Sequence, residues 1–98
     1  MGKAKVYISG AISGHDAKTV RMRFGAAKAR LLKAGCEVVS PLENGLPPDS
    51  SWERHMQRDL ELLADCDVIY LLDGWERSKG CQIEFNTAIG LRQTIIFE

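Results

Sequence analysis

The chain has 98 residues, with 13 basic and 13 acidic side chains and a formal net charge of zero. That size fits one domain, residues 1–98, and the balanced charge gives no support for a protein that coats nucleic acid or lies on a membrane surface. No apolar run approaches the ~20 residues of a membrane span, and Met1-Gly2-Lys3-Ala4-Lys5 runs straight into a strand rather than a signal peptide.

Val6-Tyr7-Ile8 is short and β-prone and reads as the first strand. Val20, Phe24, Ala27, Leu31 and Ala34 then recur at helical spacing, and Gly35 is a natural stop. Cys36 to Ser40 reads as the second strand, closed by Pro41, and the turn-rich segment Pro41 to Asp49 as a loop. Ser50 with Glu53 forms a candidate capping box ahead of a second helix, whose apolar stripe is Trp52, Met56, Leu60 and Leu63. Asp67 to Leu72 is expected as the third strand, Gly80 to Leu91 as the third helix, and Thr94 to Phe97 as the fourth strand.

Strands alternating with helices through short links predict an α/β fold, a doubly wound parallel sheet covered on both faces in three α/β/α layers. Right-handed crossovers make 2-1-3-4 the natural strand order. Winding then reverses between the first and third strands, whose carboxyl ends frame a ligand crevice. Two glycine-bearing turns fall there, Ser9-Gly10-Ala11-Ile12-Ser13-Gly14 and the segment Asp73 to Lys79 that leads into Gly80. Their backbone N–H groups are candidates to hold an anion, with glycine permitting close approach. Neither turn has the spacing of a dinucleotide fingerprint or a P-loop, so ordinary strand-to-helix turns are the alternative.

Two carboxylates stand out. Asp59 lies between Met56 and Leu63 on the stripe expected to face the sheet, where burial would raise its pKa. The bland alternative places it at the edge of the stripe, meeting Arg54, Arg58 or solvent. Glu84 opens the third helix, and its alternative is a first-turn glutamate favoured by the helix dipole. Cys36, Cys66 and Cys81 are odd in number and widely spaced, which fits neither a zinc pattern nor a disulfide framework and suits a reducing cytoplasm. Cys81, at a helix start that would stabilise a thiolate, lacks an obvious base, so a packing role is expected. His15 and His55 have no metal-ligating neighbours at suitable spacing and are expected at the surface; no metal site is expected. Trp75 is a candidate to stack on a base, or else a lid over the core.

Taken together, Val6-Tyr7-Ile8-Ser9-Gly10-Ala11-Ile12, then Arg58-Asp59-Leu60 with Ala64-Asp65-Cys66-Asp67-Val68, then Ser78-x-Gly80-x-x-x-Glu84 resemble the nucleoside 2-deoxyribosyltransferase-like superfamily. The resemblance spans nearly the whole chain in element order. It points to the 2′-deoxynucleoside 5′-monophosphate N-glycosidases and, more strongly, to small bacterial and phage members known mainly as a domain of unknown function. It implies Glu84 as nucleophile, Asp59 as the acid that assists the leaving base, and Tyr7 as the residue that positions the nucleophile. Gly10, Ala11 and Ile12, flanked by Ser9 and Ser13, match the first phosphate loop, while Ser78 and Gly80 match the second. No cofactor is implied. The implied partners are a deoxynucleoside or deoxynucleotide and a second copy of the chain, since members are typically homodimers. Where the N-glycosidases carry an arginine after the first loop, this chain has Ser13-Gly14-His15, with Lys79, His15 or Arg23 as possible substitutes. The loop Asp73 to Arg77 is also bulkier, which leaves base specificity open. Hydrolysis, transfer of deoxyribose between bases, a nucleotide-binding module without turnover, and a small interaction protein are the readings that follow.

Overall fold

Val6, Tyr7, Ile8 and Ser9 are all buried along the first strand, β1 (Lys5–Ser9), and their alternation sends them to opposite sides of a sheet. The structure, a computed structural model, describes residues 3–98. After β1 follow α1 (Ala17–Lys33), β2 (Glu37–Val39), a 3-10 turn (Pro41–Glu43), α2 (Trp52–Ala64), β3 (Val68–Leu71), a second 3-10 turn (Trp75–Arg77), α3 (Lys79–Gly90) and β4 (Thr94–Phe97). The strands are parallel in the order β2-β1-β3-β4, with Tyr7 opposite Val39 on one side and Ile69 on the other. This is the expected doubly wound sheet.

Val6 and Ile8 pack beneath α1 with Val20, Phe24, Ala27, Leu31, Val68 and Leu72. Tyr7 turns to the other face, where Leu63 of α2, Ala88 of α3, Ile69 and Leu71 surround it. Helices therefore cover both faces, and the carboxyl end of β1 opens under the start of α3. No helix among the described residues is long and apolar enough to cross a membrane.

The helix starts are fixed by side chains. Asp16 Oδ2 accepts the N–H of Thr19 at 3.0 Å to cap α1. The expected capping box at Ser50 and Glu53 is corrected by one residue. The N–H of Ser50 donates to the carbonyl of Pro47 at 3.0 Å, which holds Ser50 in the preceding turn. Ser51 is the cap instead, accepting the N–H of Arg54 at 3.1 Å, and the third residue beyond the cap is thus an arginine. Ser78 caps α3 by accepting the N–H of Cys81 at 3.2 Å.

Gly10 marks the tightest point at the end of β1. A Cβ there would lie 2.6 Å from Leu72 Cδ1 and 3.1 Å from Phe24 Cζ. Gly10→Ala is expected to cost about 1–3 kcal/mol by overpacking, read as a lower urea midpoint at unchanged slope. A midpoint equal to that of the wild type would show that the α1 layer yields.

Candidate active site

The strand alternation that buries Tyr7 and Ser9 on the α2/α3 face brings both hydroxyls to one carboxylate. Tyr7 Oη donates to Glu84 Oε2 at 2.5 Å, and Ser9 Oγ donates to Glu84 Oε1 at 2.7 Å. Glu84 is 4 % exposed. It sits in the second turn of α3, not the first, and its carboxylate points towards the sheet rather than capping the helix dipole. Burial pushes its pKa up to about 7, with the nearby Asp59 charge adding to the rise, while the Tyr7 and Ser9 bonds pull the other way. Burial, then the Glu84 charge, holds the Tyr7 phenol well above its ordinary value, so it remains a donor.

Asp59 is also buried, on the face of α2 that meets the sheet. Burial raises its pKa, opposed by a hydrogen bond from Asn44. Asn44 Nδ2 donates to Asp59 Oδ1 at 2.9 Å and lies 3.0 Å from His55 Nδ1. The edge-of-stripe alternative fails for a specific reason: Arg58 points elsewhere, donating from Nε to the Asn44 carbonyl at 3.3 Å and from Nη1 to Glu61 at 3.3 Å. His55 is likewise not a surface residue. It is half-buried within this polar cluster, because it precedes Asp59 by one helical turn and shares its face.

Both carboxylates line a cleft of about 780 Å³, a size suited to a small ligand. Gly10, Ala11, Ile12 and Ser13 form one wall, and Ser78 and Gly80 another. The start of α3, Ser78 to Cys81, lines this space, and of its first N–H groups that of Cys81 is taken by Ser78 Oγ. Ser9 belongs to a different part of the site than expected: its hydroxyl is spent on Glu84 and it does not line the cleft. His15, Arg21, Arg23, Arg77 and Lys79 place positive or titratable groups around the rim. Arg23 is engaged, donating to the Asp73 carbonyl at 2.6 Å.

Trp75 does not line the cleft. It packs against Phe85 at 4.7 Å and Phe97 at 5.9 Å between ring centroids, over the core. The aromatic ring on the cleft is Trp52, 37 % exposed, with Lys79 Nζ 5.3 Å from its centroid. Burial pushes the Cys81 thiol up, which suits packing rather than a thiolate at a helix start. Among the described residues no cluster of three or more His, Cys, Asp or Glu is arranged to hold a metal ion.

Asn44, His55 and Trp52 were missed as site residues in the sequence. The spacing of His55 and Asp59, four apart on one helix, was the available signal for His55, because it puts both side chains on one face.

The fold has relatives of known structure. The chain is similar to the Clostridium botulinum CMP N-glycosidase BcmB, with 22% identity and a TM-score of 0.69 over 95% of this chain and 69% of that one. It is also similar to the 2-desoxiribosyltransferase from Leishmania mexicana, with 15% identity and a TM-score of 0.74 over 96% of this chain but 63% of that one. The chain thus spans less than two thirds of the length of the second. No curated protein matches it. The family described as Domain of unknown function (DUF4406) matches residues 4–97, so the chain belongs to that family and carries the nucleoside 2-deoxyribosyltransferase-like fold.

Proposed function

We propose that the protein cleaves the N-glycosidic bond of a 2′-deoxynucleoside or its 5′-monophosphate. The observation that carries this reading is the buried Glu84, held at both oxygens by Tyr7 and Ser9 and facing a cleft that a second carboxylate, Asp59, also lines. Breaking an N-glycosidic bond develops positive charge at the anomeric carbon, which an adjacent carboxylate can trap. A Glu84 oxygen forms a bond to C1′ as the bond from C1′ to the base breaks. The proton of Asp59 passes to the departing base. Water then attacks C1′ and gives a proton to Asp59, which frees the sugar and restores the Glu84 carboxylate. A second base in place of that water gives deoxyribosyl transfer. The two hydroxyl donors fix the carboxylate and leave its raised proton affinity under control of burial.

The glycine turns and the rim cations support a 5′-phosphate on the substrate, and the exposed ring of Trp52 offers a face for the base. Similarity in fold to a CMP N-glycosidase and a 2-desoxiribosyltransferase supports the same reaction class. The sequence Ser13-Gly14-His15, in place of an arginine, favours a second reading in which nucleotides bind without turnover.

The test is a panel of 2′-deoxynucleosides and their 5′-monophosphates incubated with the protein, with free base quantified by chromatography and tryptophan emission followed in parallel. Base released by the wild type, and only from certain members of the panel, is expected and names the substrate. Emission changes without any base released would favour the binding module. Neither change with any substrate would sink both readings.

A further inference from the structure

Asn44 touches both Asp59 and His55, and the chemistry above makes no use of it. It follows the 3-10 turn Pro41–Glu43 in the connection between β2 and α2, and it is 7 % exposed. The orientation of its amide is fixed by a group that can only donate. The N–H of Leu46 lies 3.0 Å from Oδ1, so Oδ1 is the acceptor on that side. Nδ2 then faces Asp59 Oδ1 and His55 Nδ1, at 2.9 and 3.0 Å. An amide nitrogen carries two hydrogens and accepts none, so each neighbour takes one. His55 Nδ1 is therefore the bare nitrogen of its ring, which assigns the ring proton to Nε2, a buried atom with no hydrogen-bond partner among the described residues. The Asn44 backbone is anchored to the same helix by Arg58.

This arrangement selects one oxygen of Asp59. Oδ1 faces a donor and so cannot carry a proton of its own towards Asn44. Oδ2 has no hydrogen-bond partner among the described residues, and the residue lines the cleft. We propose that Asn44, oriented by His55, is a positioning residue for Asp59, placing its acidic proton on Oδ2 and aiming it into the cleft at the leaving base. The proposal rests on the reading of Asp59 as the acid. Asn44 also tempers that acid, because a donor on Oδ1 favours the ionised form that burial disfavours. The other charged or titratable groups coupled to Asp59 are His55 and Arg58 of its own helix, Glu84 of α3 and Tyr7 of β1.

Asn44→Asp separates this role from a merely structural one. Aspartate keeps the acceptor for the Leu46 N–H and the shape of the side chain, but it turns the donor facing Asp59 and His55 into an acceptor. In wild-type protein, nitrogen NMR of the imidazole is expected to show the proton on Nε2 of His55, and in N44D on Nδ1. The carboxyl carbon of Asp59, assigned with Asp59→Asn, is expected to titrate at higher pH in N44D than in wild type. Turnover should fall by about a hundredfold, the low end of what a positioned acid supplies, with KM little changed. Asn44→Ala, which introduces no charge, should move the Asp59 midpoint in the same direction if N44D does not fold. A wild-type ring protonated at Nδ1, or an Asp59 midpoint unmoved in the folded variant, would overturn the proposal. A wild type that releases no base fails the catalytic reading separately, and the ring proton and the midpoint still decide the role of Asn44.

Discussion

Glu84→Gln is expected to end base release and, above neutral pH, to make the protein more stable than the wild type. Loss of the proposed nucleophile should lower turnover by at least about 10⁴-fold, the scale seen when a covalent catalyst is removed. The stability gain follows from the proton affinity of the buried carboxylate, whose pKa lies at about 7 in the folded chain against an ordinary 4.5. A group whose folded pKa is raised supports folding fully below its unfolded pKa. That support is lost as pH rises through the folded value, so the window runs from about 4.5 to about 7. Glutamine does not titrate, and the Tyr7 and Ser9 hydroxyls can each donate to its oxygen or accept from its amide. The stability difference in favour of E84Q should be small at about pH 4 and reach about 3 kcal/mol by about pH 8. Urea unfolding of both proteins at the two pH values measures it. A variant less stable than wild type at the higher pH would mean that the carboxylate is compensated by contacts other than these.

The second large effect concerns rate and pH together. A nucleophile that must be ionised gives kcat/KM an ascending limb, about tenfold per pH unit, below the pKa of the free enzyme. Because activity also needs the Asp59 proton, the wild-type profile is bell-shaped and belongs to the pair of carboxyls; the limb of Glu84 alone is seen only where Asp59 is removed. Asp59→Asn removes the acid, with an expected loss of about 10²–10⁴-fold for a poor leaving base. It also removes the descending limb, and with it the charge that raises the Glu84 pKa wherever Asp59 is ionised, so the single bend of the residual activity should lie below about 7. Profiles of both proteins on one substrate read the two effects separately. A limb that stays in place while the rate falls would mean that Asp59 acts on the base without acting on Glu84.

What could be read in the sequence depended on how local the governing physics is. Short β-prone and apolar runs placed the strands, period 3.6 placed the helices, and handedness of crossover then left the strand order with little freedom. Asp59 and Glu84 stand out as candidates because each sets a carboxylate on or beside an apolar pattern, whereas Tyr7 enters only through the family resemblance. Ser9 was assigned to the wrong neighbour although the alternation held the answer, since it shares a face with Tyr7 two residues earlier. Trp75 was harder. A loop leaving a strand end can fall to either side of a sheet, and only the contacts with Phe85 and Phe97 reveal which. Asn44 could not be placed at all, because the course of the connection from β2 to α2 has no periodicity and the partners of its amide nitrogen lie 11 and 15 residues away.

The sheet is also a partition. On the α1 side lie Val6, Ile8 and their apolar neighbours, and on the other the hydroxyls that grip Glu84. Residues beneath α1 can therefore drift among apolar types and change how firmly the domain holds together without touching the reacting groups. Insertion or deletion of one residue within β1 has the opposite character. It exchanges the two faces at a stroke, putting aliphatic side chains under Glu84 and burying two hydroxyls against α1, with every other element of the chain unaltered. Point changes in β1 tune this protein by degrees; a one-residue slip there takes both hydroxyls away from Glu84 at once.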